Sequence, residues 1–218
     1  ALPHIAGSLS AGTDESTWVL TSYLVSNAIV LPLSGWISSI IGRKRFYMSC
    51  VAIFTISSFL CGLAPNLGML IFFRVLQGAG GGGLQPSEQA SLADTFPAAK
   101  RGMAFAVYGL AVVLAPAIGP TLGGWITDNF TWRWIFLLNI PVGILSLTLT
   151  SRLIQDPPHM KRKKLSETRI DYIGLGLVAL GLGTLQVVLD KGQRDDWFES
   201  HFILVMSIIA AGSLLFLI

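Results

Sequence analysis

The chain has 218 residues, of which Lys, Arg, Asp and Glu make up 12% and hydrophobic residues 52%, whereas a soluble globular chain carries about a quarter charged residues. Mean hydropathy is +0.65, and the net charge of +3 is gathered into short islands between long uncharged runs. Together these exclude a disordered chain, a disulfide framework and a nucleic-acid-binding domain, and point to a polytopic membrane protein built only of helices.

Three uncharged runs make the case. There are 27 positions between Glu15 and Arg43, 28 between Arg45 and Arg74, and 26 between Arg101 and Asp128, each enough to cross a hydrocarbon core about 30 Å thick. In chain order, Ala1 to about Ser8 reads as the tail of a helix, and Gly12 to Ser16 as a polar turn. Spans follow from Trp18 to about Ile41, from about Phe46 to Ala64, and from near Leu67 to about Leu92. Pro65 and Asn66 mark the turn between the last two. The third span carries Arg74 and the glycines Gly80 to Gly83; such a run is poor helix material in water but permits close helix contact inside a bundle.

A loop at Asp94 to Arg101 precedes a span from about Gly102 to Thr127, and a loop with Asp128 and Arg133 precedes one from Trp134 to about Leu153. A charged connector leads to a span from about Tyr172 to Leu189. Asp190 to Glu199 reads as a polar loop, and Phe202 opens a last, incomplete span. The sum is about six near-complete transmembrane helices with helix fragments at both termini. Three alternate loops hold 11 of the 15 basic residues, Arg43 to Arg45, Lys100 and Arg101, and Arg152 to Arg169, which places them in the cytoplasm. Trp18, Trp125, Trp132, Trp134 and Trp197 fall near the outward boundaries, where aromatic anchors belong. Cys50 and Cys61 lie in one apolar run and read as packing residues.

An arginine inside an apolar helix must find partners in the bundle or line a wet cavity. Arg74 therefore reads as either a structural tie or part of a pathway, with Gln77 and Gly78 one turn on as cavity or packing residues. Glu88 is the one acid well inside a span. It is about 21 Å further along the helix, so the two are not an ion pair; Glu88 is either a buried proton carrier or a carboxylate wetted by the cytoplasmic interface. Asp94 lies in the same layer as Arg43 and Lys44, as a gate latch or a surface pair. Pro116 and Pro120, with Gly119, Gly123 and Gly124, suggest a bent, closely packed helix, either as plain packing or as a hinge or seal. No metal, nucleophile or phosphate-loop pattern occurs, which argues against an enzyme.

The ordered motifs resemble the major facilitator superfamily. Gly35-Trp-Ile-Ser-Ser-Ile-Ile-Gly42-Arg43-Lys44 resembles its loop signature between helices two and three, with Ser39 and Ile40 where that signature carries charged residues. Leu70 to Gly80 resembles its helix-four motif, and Gly119-Pro120-Thr-Leu-Gly123-Gly124 its helix-five antiporter motif. Ala1 to Ile5, Trp18 to Tyr23, Trp132 to Phe136 with Asn139 to Gly143, and Leu189 to Gly192 with Asp196 to Phe198 narrow the match to the EmrB-like branch of the fourteen-helix drug:proton antiporters.

The resemblance implies Arg74 beside the proton pathway, with Glu88 a further candidate. It gives Gly119, Pro120, Gly123 and Gly124 as hinge, and Gly35, Gly42, Arg43, Lys44 and Asp94 as cytoplasmic gate. Residues 1–154 would form the N-terminal half without most of helix one, 155–169 a cytoplasmic connector, and 170–218 the extra central helices. The implied protein sits in the bacterial inner membrane and exports lipophilic drugs or amphiphiles against protons, with no cofactor. Its implied partners are a periplasmic adaptor, an outer-membrane channel, lipid and a C-terminal transporter half, without which this chain would not transport. A metabolite carrier, a membrane enzyme and a scaffold or channel remain as other readings.

Overall fold

A computed structural model describes residues 2–154 and 171–217. The cytoplasmic connector expected at 155–169 lies outside the described residues. Among the described residues the structure is helical, and six stretches are long and apolar enough to cross a membrane: Thr13–Ile41, Arg43–Leu63, Leu67–Thr95, Ala98–Asn129, Arg133–Leu153 and Tyr172–Lys191.

The elements are α1 (Leu2–Ser8), α2 (Thr13–Ile41), α3 (Arg43–Leu63), α4 (Leu67–Gly82), α5 (Leu84–Thr95), α6 (Ala98–Asn129), α7 (Arg133–Leu137), α8 (Asn139–Leu153), α9 (Tyr172–Lys191) and α10 (His201–Leu215). Helix α2 starts earlier than the sequence suggests. The Glu15 carboxylate accepts the Gly12 amide at 3.1 Å, and Asp14 and Glu15 sit in the first turn, where the partial positive charge of a helix start favours acids. The expected polar turn is thus mostly helix. Asn66 caps α4 by accepting the Met69 amide at 2.9 Å. Gly42 has φ 93°, a left-handed conformation that lets α3 follow α2 with one residue between them.

The third span is two helices with a joint at Gly83, instead of one continuous helix. Pro86 occupies the first turn of α5, where its missing amide is tolerated because no hydrogen bond is required of it there. Conversely, α6 runs unbroken through Pro116 and Pro120.

Helix α4 is the centre of the bundle because its small residues admit neighbours on two sides. A methyl group on Gly82 would lie 2.6 Å from the Asn27 carbonyl of α2, and one on Gly80 would lie 2.7 Å from the Phe54 nitrogen of α3. Close approach of this kind is how helices associate where lipid is as apolar as the side chains. Helix α3 packs also on α7 and α8, α2 on α9, and α9 on α10. A buried apolar cluster of Ile5, Val19, Cys61, Leu70, Trp132 and Phe136 closes the end opposite the basic islands, hereafter the far end.

Trp132 belongs to that cluster at 3% exposure and is no interfacial anchor. Its indole N–H donates to the Ser8 hydroxyl at 2.6 Å, which removes the cost of burying it. Trp125 and Trp134 stay exposed. Cys50 and Cys61 are both buried thiols.

Candidate functional site

Arg74 sits one and a half to two turns into α4 from the far end. Its Nε donates to the Val19 carbonyl of α2 at 2.8 Å, and its Nη1 donates to Gln77 Oε1 at 2.8 Å. The guanidinium lies over the Tyr23 ring, 4.1 Å from the centroid, an attraction that strengthens out of water. Gln77, 1% exposed, passes the network on: its Nε2 donates to the Ser58 hydroxyl of α3 at 2.9 Å. Ser58 in turn donates to the Phe136 carbonyl at 2.8 Å and accepts from Asn139 Nδ2 at 2.9 Å.

One cation is therefore tied to α2, α3, α7 and α8 through hydrogen bonds that lipid cannot replace. A pocket of about 240 Å³ lined by Ile5, Val19, Ile135 and Phe136 reaches Arg74 from the α1 side. Gly78 faces the Tyr23 carbonyl and Ser26, and Ser26 donates to the Val75 carbonyl at 2.7 Å, so α2 and α4 are in contact along this whole level.

At the basic end Arg43 forms an ion pair with Asp94 across α3 and α5, and both side chains are about a quarter exposed. Ser39, standing at the motif's acidic position, donates to the Trp36 carbonyl of its own helix at 2.7 Å, so Asp94 is the carboxylate that receives Arg43. Lys44 Nζ donates to the Ser151 carbonyl at the end of α8 at 2.8 Å. Gly35 has open space beside it and lines a shallow pocket with Ser39 and Arg43.

Glu88 is half-buried in the wall of an open pocket of about 580 Å³ whose lining includes Arg43, Lys44, Tyr47, Tyr108, Phe96 and Leu153. The Tyr108 hydroxyl of α6 donates to its Oε2 at 3.2 Å. Arg74 and Glu88 thus belong to two separate clusters at opposite ends of one span.

The helix-five motif stands differently from the expectation of a tightly packed hinge. Methyl groups built on Gly119, Gly123 and Gly124 meet nothing within 4 Å, and only Ile126 and Thr127 of α6 are buried. Helix α6 touches the bundle at its ends, leaving the Gly119, Pro120, Gly123 and Gly124 stretch uncovered among the described residues. Tyr23, Ser58 and Asn139 as partners of the Arg74 network, and Tyr108 as partner of Glu88, are not legible in the sequence. Ser57 and Ser58, a polar pair inside an apolar run, were the available signal. No group of three His, Cys, Asp or Glu side chains converges to hold a metal among the described residues.

The described residues form a bundle of membrane-spanning helices with a seated arginine and a charged turn between α2 and α3. The chain belongs to the major facilitator superfamily, whose family description matches residues 1–218. That is a transporter family rather than an enzyme family, and the chain is a multi-pass protein of the bacterial inner membrane. It is 40% identical over 218 residues to "Multidrug export protein EmrB" of Escherichia coli (strain K12), covering 100% of this chain and 42% of that protein. It is 44% identical to "Probable multidrug resistance protein EmrY" of the same strain, with the same coverage. It is also 44% identical over 212 residues to "Fatty acid resistance protein FarB" of Neisseria gonorrhoeae, covering 96% and 41%. The chain thus spans about two fifths of the length of these relatives.

The POT family transporter PepTSo shares the fold, with a TM-score of 0.67 at 14% identity over 98% of this chain and 47% of that one. So does a bacterial homologue of the human lysosomal transporter Spinster, inward-facing and unoccupied, at 0.57 and 20% over 100% and 54%.

Proposed function

We propose that this chain is the N-terminal half, with two extra central helices, of a proton-coupled exporter of lipophilic drugs or amphiphiles. The observation that carries the reading is the Arg74 seat: a half-buried cation tied to four helices by hydrogen bonds, in a chain similar over its whole length to multidrug and fatty-acid resistance proteins. Residues 1–154 form the half-transporter and 170–218 the extra helices, with 155–169 connecting them. A C-terminal half completes the substrate cavity, so the chain alone does not transport.

Arg74 sets the electrostatics of the far half of the bundle, and Glu88 is the carboxylate placed to bind and release a proton at the basic end. Arg43 with Asp94, and Lys44 with α8, hold the cytoplasmic ends together in one of the two openings, Gly35 and Gly42 shape the turn between them, and Gly78 keeps α4 against α2. The uncovered Gly119–Gly124 stretch is the surface available to a moving neighbour. The proton gradient drives the cycle without a cofactor; a periplasmic adaptor and an outer-membrane channel carry the substrate onward.

The test uses the full-length transporter in inverted vesicles, reading proton release evoked by a panel of lipophilic compounds for the unmodified protein, Arg74→Ala and Glu88→Gln at matched expression. Release abolished by Glu88→Gln supports the assignment of Glu88. Release that survives Glu88→Gln keeps antiport and removes Glu88 from it. Compounds that bind without releasing protons overturn the antiport reading.

A further inference from the structure

The span from Tyr172 does not end at Leu189. Helix α9 continues to Lys191, and the two charges expected in a polar loop, Asp190 and Lys191, are folded against the far end of α2. Lys191 is only 8% exposed. Its Nζ lies 4.2 Å from the centre of the Trp18 ring and donates to the Thr17 hydroxyl at 3.2 Å. Asp190 accepts the hydroxyl of Thr21, whose side chain is fully buried. The Trp18 ring also meets Phe202 of α10 edge-on, with centroids 6.4 Å apart. Further down, Gly183 lets α9 approach α2: a methyl group there would lie 3.2 Å from Ile29 and 3.6 Å from Val25.

Two features make this contact more than packing. A lysine held away from water needs the ring and the hydroxyl it has found, since no carboxylate pairs with it among the described residues. And the α2 segment that receives it is the one that seats Arg74: Val19 and Tyr23 hold the guanidinium from α4, while Thr17, Trp18 and Thr21 hold α9. About two turns of α2 are gripped by both.

We infer that Asp190 and Lys191 are positioning residues that clasp the α9–α10 pair to the far end of α2, so that these two extra helices and the Arg74 seat travel as one rigid body. This rests on the transport reading above, because only a protein that changes its opening has bodies to move. In the cycle the extra helices then move with the N-terminal half, and the joint between the halves lies beyond α10.

The experiment places spin labels at Leu31→Cys on α2 and Ile208→Cys on α10, both exposed, in the full-length transporter. A second pair reports on α2 against the C-terminal half. Distances are measured by electron paramagnetic resonance at high and low pH, with and without a lipophilic compound. The expected result is an α2–α10 distance that shifts by less than about 2 Å, the scale that separates a rigid body from a rearrangement. The distribution should broaden with Lys191→Met and with Asp190→Ala, and narrow again with Lys191→Arg. An α2–α10 distance that changes with condition overturns the inference, as does a width indifferent to Lys191→Met and Asp190→Ala. A second pair that never moves counts against alternating access itself, while the widths still report on the clasp.

Discussion

Replacing Gln77 with Leu removes the centre of the Arg74 network with little change in volume, so the effect isolates polar loss from cavity formation. Gln77 accepts one hydrogen bond from a cation and a weak one from the Cys61 thiol at 3.9 Å, and donates one to Ser58. A hydrogen bond to a charged group contributes about 1.5–3 kcal/mol and a neutral one about 0.5–1.5. Hydrogen bonds between membrane helices average only about 0.6 kcal/mol, with a maximum of about 1.7, because the separated helices find other partners.

The structure decides where between these scales the loss falls. Ser58 keeps Phe136 and Asn139, so its share is at the low end. Arg74 keeps Val19 and the Tyr23 ring yet strands one N–H in a site that the bundle largely covers, which puts the charged bond near the membrane maximum. The expected cost is about 2 kcal/mol. Reversible unfolding of the full-length protein in mixed micelles measures it, and a double-mutant cycle with Arg74→Met should return a coupling of about 1–2 kcal/mol. A cost below about 0.5 kcal/mol, or strict additivity with Arg74→Met, would refute the claim that these residues form one network.

Gly82→Leu should destabilise by at least about 1–3 kcal/mol, the cost of overpacking, since the added side chain meets the Asn27 carbonyl; thermal unfolding checks it. Gly119→Ala should leave stability unchanged or raise it by up to about 1 kcal/mol from helix propensity, its methyl meeting nothing, and yet lower drug efflux if the exposed stretch seats a moving neighbour. Asp94→Asn should change stability by less than about 1 kcal/mol, as for other partly exposed pairs, while speeding thiol labelling of a Ser91→Cys reporter in the basic-end pocket.

The sequence displays what lipid punishes and hides what lipid ignores. Spans were legible because charge cannot be left in hydrocarbon, and Arg74 was legible as a residue in need of partners for the same reason. The glycine run announced close contact because a missing side chain can be seen. The identity of the neighbours was another matter: Phe72 faces out and Leu70 is fully buried, although both are equally content in lipid or protein, so hydrophobic periodicity does not separate the two faces. Polar residues that bury by pairing also escaped. Lys191 and Asp190 looked like loop charges because Thr17, Trp18 and Thr21 lie about 170 residues away in sequence. Trp132 looked like an interfacial ring because nothing local reveals Ser8. The open side of α6 is not legible either, since small residues signal a contact without saying whether its other side is within this chain.

The Arg74 seat also bears on how the protein is made. An arginine raises the free energy of membrane insertion by about 2.5–3.5 kcal/mol at the centre of a span and by less towards an end, and the Leu67–Thr95 span must enter the bilayer carrying Arg74 about two turns from its start. Its two immediate tethers outside α4, the Val19 carbonyl and the Tyr23 ring, belong to α2, and the Ser58 that steadies Gln77 belongs to α3. Both helices leave the ribosome before α4 does. The nascent arginine therefore meets its nearest ligands in helices already delivered to the membrane, while the Phe136 ring, 5.8 Å from the guanidinium, and the links through the Phe136 carbonyl and Asn139 wait for later synthesis.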